Sequence, residues 1–158
     1  MERIALKIQQ IHLSDLTRER IVTCIKLACM FLFLYTAYAK IVDHDRFLKG
    51  LKNVHIINGL AVYVSWFVPL SEILTFILLL VPRTLKWGFF AFTALMTIFT
   101  GYIISVLLLE KKLPCHCGGV IEKLSWTQHL WFNLAFIFLA IIAIRLFKSN
   151  QNFNNYKR

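Results

Sequence analysis

Residues able to do chemistry are few in this chain, and most lie in one stretch, Leu113-Pro114-Cys115-His116-Cys117-Gly118-Gly119-Val120. Two cysteines flank one histidine. A bridge between sulfurs two residues apart closes a very small ring whose geometry departs from a relaxed disulfide. Such strain makes the bond easier to reduce and more oxidising. Gly118 and Gly119 supply the backbone freedom for so tight a turn, and Pro114 fixes the entry to it. Lys111, Lys112, Lys123 and a protonated His116 are cationic neighbours that favour thiolate. The chemistry this pattern suits is thiol–disulfide exchange through Cys115 and Cys117. Two other readings fit the same residues. One is a zinc or copper site built from Cys115, His116, Cys117 and His129, against which the one-residue gap between the cysteines counts. The other is an inert structural disulfide.

Three further groups stand out. Trp126, His129 and Asn133 recur at i, i+3 and i+7, so they share one face of a helix. Ser125-Trp126-Thr127-Gln128 fits a capping box, which aims a positive helix end at the cysteines. A proton donor at His129 would serve exchange, or the ring of a bound quinone as electron acceptor. Otherwise Trp126 is an interfacial anchor and His129 its wet neighbour. Glu72 lies inside an apolar run, where an ionisable group is expensive and demands a partner. Counted from the ends of their runs, Glu72 and Lys26 differ in depth by about 6 Å. A buried Lys26–Glu72 pair is therefore expected, as a lock between helices more than as a proton relay. Cys24 and Cys29 rise about 7.5 Å apart on one helix and cannot bridge. Both read as small buried apolar residues.

The elements that position these residues are membrane spans. The 158-residue chain is 58% hydrophobic, with mean hydropathy +0.64. A soluble domain is about 45–50% apolar. Four apolar runs near the length needed to cross a bilayer are predicted: Ile21–Ile41, Gly59–Val81, Leu85–Leu109 and Trp126–Phe147. No alternating pattern predicts a strand. The fold class is all-α, a four-helix transmembrane bundle spanning 21–147, with a polar segment at 1–20 and a tail at 148–158. Ile4, Ile8 and Ile11 allow a short interfacial helix in the first segment, with a mobile tail as the alternative. Val42–Asn58 reads as a polar loop, and Pro69 should kink the second span. Ala37-Tyr38-Ala39 has the form of a signal-peptide cleavage site, but Lys26 interrupts the run and the basic leader is long, so the segment is expected to stay as a span.

The net charge of +10 does not indicate nucleic acid. The 18 Lys and Arg cluster at the ends of the apolar runs, where lipid headgroups account for them. Ten lie on the side of the two termini and seven on the other, with Lys26 inside a span. This balance places the termini in the cytoplasm and the Cys115/Cys117 loop outside, in an oxidising compartment.

Ala39-Lys40-Ile41-x-Asp43-x-x-x-Phe47, then Val68-Pro69-x-x-Glu72, then Cys115-x-Cys117-Gly118-Gly119 before a last span resembles the methylamine utilisation protein MauE family and its DoxX-like relatives, over about residues 20–147. The resemblance implies a four-helix membrane protein of the cell (inner) membrane associated with disulfide chemistry. It also implies a thioredoxin-like extracytoplasmic partner and the maturation of a disulfide-rich methylamine dehydrogenase subunit. Gly118-Gly119 stands where an aromatic commonly follows the second cysteine in that family. That departure bears on the methylamine role more than on the redox role. Two other functions are weighed beside it: a non-catalytic membrane scaffold for a secreted maturation factor, and a metal-binding membrane protein.

Overall fold

The structure is a computed structural model. It describes the backbone of residues 2–54, 58–109 and 126–156, and side chains within 16–54, 58–108 and 127–147. Five α-helices follow in order: α1 (Glu2–Val42), α2 (His44–Lys52), α3 (Ala61–Leu80), α4 (Leu85–Leu109) and α5 (Trp126–Tyr156). Four segments are long and apolar enough to cross a membrane: Leu16–Val42, Asn58–Leu80, Pro82–Leu108 and Thr127–Phe147. The chain is a multi-pass membrane protein, all-α as expected, with no strand among the described residues. In hydrocarbon every backbone polar group must be satisfied within its own segment, so apolar runs of this length become helices.

Two expectations are corrected. The polar stretch 42–58 is mostly helical. Phe47, Leu48 and Leu51 recur at helical spacing, and burial of Leu51 against the bundle folds α2. The segment 1–20 is no separate short helix, because α1 runs unbroken from Glu2. At 41 residues α1 is about 60 Å long. That is twice the thickness of a hydrocarbon core of about 30 Å. Cys24 departs from its expected burial and lies exposed on the lipid-facing side, whereas Cys29 is fully buried.

Packing follows from small residues and aromatics. The buried stripe of α3 is Ala61, Ser65, Pro69, Glu72, Thr75 and Leu79. Its small members let α1 approach closely, which is how membrane helices associate where no hydrophobic force separates protein from lipid. Pro69 removes one backbone hydrogen bond, yet α3 continues through it. Hydroxyls along the helices are satisfied locally, as in Ser65 Oγ donating to Val62 O at 2.7 Å and Thr100 Oγ1 to Met96 O at 2.7 Å. Pro82–Thr84 forms a single 3-10 turn between α3 and α4. Immediately after it, a Cβ on Gly88 would stand 2.8 Å from Leu79 N and 2.9 Å from Leu78 C, so only glycine permits this α3–α4 approach. Phe33 of α1 packs on Phe92 of α4 with centroids 4.4 Å apart, and Phe92 lies 6.3 Å from Phe136 of α5. These rings join three helices into the core.

Candidate functional site

Four helices converge on one ion pair. Lys40 Nζ on α1 donates to Glu72 Oε1 on α3 at 2.7 Å, and the two side chains retain 18% and 1% of their surface. The ammonium also stands 5.9 Å from the ring centroid of Phe47 on α2 and 5.7 Å from that of Phe99 on α4. An ammonium over a ring face is attracted by the ring quadrupole, more strongly where water is excluded. His129 on the fifth helix, half-buried, lies within the electrostatic reach of Lys40. Thr36, one turn before Lys40, also faces the Glu72 carboxyl. Its hydroxyl, however, is directed to Phe33 O at 3.3 Å. Glu72 Oε2 is buried with no hydrogen-bond partner among the described residues, and so is His44 Nε2. His44 opens α2 and stacks on Trp66 of α3 with centroids 4.4 Å apart.

The expected Lys26–Glu72 pair is therefore replaced by Lys40–Glu72. The direction of the side chains decides it. Helical side chains lean toward the N-terminus of their own helix. On α1, Lys40 leans from the α2 end of the bundle inward. On the antiparallel α3, Glu72 leans toward that same end. The two meet head to head, while Lys26 leans away from Glu72. Lys26 is also 14 positions from Lys40 in the sequence, about 21 Å along α1.

Of the other expected site residues, His129 and Asn133 turn inward on α5, half-buried and buried respectively. Cys115, His116 and Cys117, with Ser125, the expected cap, lie outside the described residues. The 16 residues from 110 to 125 join the end of α4 at Leu109 to the start of α5 at Trp126. Phe99 lies ten residues before the end of α4, about 15 Å along it, while His129 is only three residues into α5. Among the described residues no group of three His, Cys, Asp or Glu side chains is placed to hold a metal ion.

Sequence reasoning missed Lys40, Phe47 and Phe99 as site residues. The signal was present. Lys40, Phe47 and Glu72 all belong to the two short motifs that precede the cysteines, and the fold brings those two motifs into contact.

Comparison with known proteins gives one match. The family model described as methylamine utilisation protein MauE matches residues 18–146, which is most of the chain. No curated protein and no solved structure matches.

Proposed function

The chain belongs to the methylamine utilisation protein MauE family, and from that membership we propose that it is a membrane thiol–disulfide exchange protein. It acts through Cys115 and Cys117 with a thioredoxin-like extracytoplasmic partner in the maturation of an extracytoplasmic protein. The observation that carries this reading is the position in the chain of Cys115-His116-Cys117. These residues fall in the one connection between α4 and α5. The reading has the termini in the cytoplasm and this connection outside the cell membrane, where disulfides persist.

In exchange, a thiolate of one protein attacks the disulfide of the other. One S–S bond breaks as the mixed S–S bond forms, and the displaced sulfur leaves as a thiolate. The second thiol of the attacking pair then resolves the mixed disulfide, so two electrons and two protons have moved between the proteins. Both cysteines are needed, one to attack and one to resolve. His129, close to the start of α5, is the candidate proton acceptor for the attacking thiol.

The test is single substitution in cells. Cys115→Ser and Cys117→Ser should each abolish maturation of the client. One or both should trap a mixed disulfide with the partner on a non-reducing gel. Cys24→Ala and Cys29→Ala should leave function intact. Full activity in both serine variants would replace exchange with a scaffold role.

A further inference from the structure

We propose that Lys26 holds the phosphate of one anionic phospholipid in the seam between α1 and α5. The starting point is a cation that the fold leaves unmatched. Lys26 lies ten residues into the Leu16–Val42 span and is half-buried. It belongs to the core-facing stripe of α1, because Met30, Phe33 and Ala37 follow it at i+4, i+7 and i+11 and all three are buried. Among the described residues no hydrogen bond, ion pair or ring contact reaches it. An ionisable side chain inside a span is costly and is normally paired. The partner expected from the sequence, Glu72, is taken by Lys40.

Depth and direction place Lys26 in the bundle. Phe33 and Phe136 both pack on Phe92. Seven residues from these rings toward the α3–α4 turn stand Lys26 on α1, Ala143 on α5 and Leu85 on α4, each about 10 Å along its helix. Lys86 adjoins Leu85, Arg83 lies in the turn, and Arg145 is two residues past Ala143, so this end of the bundle is cationic. Among the described residues no carboxylate joins them. Glu72 is bound to Lys40, Asp43 and Asp45 lie at the start of α2, and Glu19 is exposed seven residues further out on α1. As for direction, α1 packs against α3 and α5 at this end. Thr36 and Lys40 mark its α3 side, since both face Glu72. At about 100° per residue, Lys26 is turned about 40° from Lys40 and about 80° from Thr36, in the sense that leads away from α3. It therefore opens toward α5.

The matching ligand is an anion with an apolar body, because it must enter a seam between two spans from the membrane. A phospholipid has both parts. Its phosphodiester accepts from the ammonium, which carries three donors, and hydrogen bonds between charged groups are the strong ones. Its acyl chains lie against lipid-exposed side chains such as Leu27. The surrounding charge selects the headgroup. Arg83, Lys86 and Arg145 repel the ammonium of a choline or ethanolamine headgroup, whereas a glycerol headgroup leaves the phosphate its net charge. Basic sites between membrane helices bind anionic lipid headgroups on this physical basis. A lysine that only reached for the headgroup region would lie on the outer face of α1, as exposed Arg20 does.

The experiment adds dioleoyl phosphatidylglycerol or dioleoyl phosphatidylcholine to purified full-length protein in detergent. Bound lipid is counted by native mass spectrometry, and the thermal midpoint is followed alongside. The wild type should retain one phosphatidylglycerol per chain, saturably and roughly tenfold more tightly than phosphatidylcholine, with a rise in midpoint. Lys26→Met removes the unmatched charge. It should melt no lower than the wild type in lipid-free detergent, and it should lose both the preference and the rise. Lys26→Arg should keep both. Arg20→Gln, which removes an exposed cation near the same end, should keep both as well. Equal binding of the two lipids by the wild type, or an undiminished preference in Lys26→Met, overturns the site. An equal loss in Arg20→Gln also overturns it, because net charge alone would then attract the lipid. A lower midpoint of Lys26→Met without lipid would give Lys26 a partner within the chain and remove the premise. The same rise from inorganic phosphate would make the ligand a free anion, and a Lys26-dependent dimer without lipid would make it a carboxylate of a second copy. Either result overturns the lipid site.

Discussion

Glu72 sits where a carboxylate is least tolerated, and its partner determines what a mutation there costs. Removing one member of a buried pair leaves the other charge desolvated and alone, which costs about 3–5 kcal/mol. Glu72→Gln or Lys40→Met alone should therefore lower the thermal midpoint substantially. Lys40→Met/Glu72→Met should recover most of the loss, because a buried pair exchanged for apolar side chains is often neutral. Lys26→Met should show no coupling to Glu72. A double-mutant cycle measured by thermal unfolding in one detergent checks all of this, and additivity of Lys40 and Glu72 would contradict the 2.7 Å contact. The need of Glu72 for a cation was legible in the sequence; the identity of that cation was not. Depth counted along the helix axis brought only Lys26 close to Glu72 and left Lys40 at the far end of its span, and the lean of the side chains works against that count. Lys40 was also masked by its place at the end of an apolar run, where a lysine ordinarily faces headgroups.

At the scale of elements, the four spans were legible because hydrocarbon leaves the backbone so few choices. Helix α2 was hidden by its charges. Asp45, Arg46, Lys49 and Lys52 made 42–58 read as a loop, while the short apolar face of Phe47, Leu48 and Leu51 is only as long as a nine-residue helix allows. The far end of the bundle depends on a different residue. Gly88 lies against the backbone of Leu78 and Leu79, and Thr84 Oγ1 donates to Leu78 O at 2.9 Å to hold the turn. Backbone cannot swing aside as a flexible side chain can. Gly88→Ala should therefore force α3 and α4 apart and cost about 1–3 kcal/mol, in the range of overpacked cores. Gly101, which has open space where a Cβ would go, is the control. Gly101→Ala should be tolerated, since alanine is the better helix former, and equal destabilisation by both substitutions would mean that the α3–α4 contact does not set the cost.

At the scale of the whole molecule, orientation rests on charge, and the ion pair sharpens the count. Ten Lys and Arg lie on the side of the termini and seven on the other. One of those seven is Lys40, which is bound to Glu72 inside the bundle and so is withdrawn from the headgroup region. The effective asymmetry becomes ten against six. Arg83 and Lys86 belong to the larger group and sit at the short α3–α4 turn, where flanking positive charge acts most strongly on topology. The termini and that turn are therefore expected in the cytoplasm, with α2 and the Cys115/Cys117 connection outside. A reporter fused after Lys148 should be active only in its cytoplasmic form, and one inserted at Lys52 only in its exported form. A cysteine-directed, membrane-impermeant reagent should label Cys115 or Cys117 in intact reduced cells of a Cys24→Ala/Cys29→Ala background. Labelling only after the membrane is broken, together with export of the Lys148 fusion, would invert the molecule. It would put the cysteine pair in a reducing compartment, where a standing disulfide is not kept, and exchange with an extracytoplasmic partner would then have no place to occur.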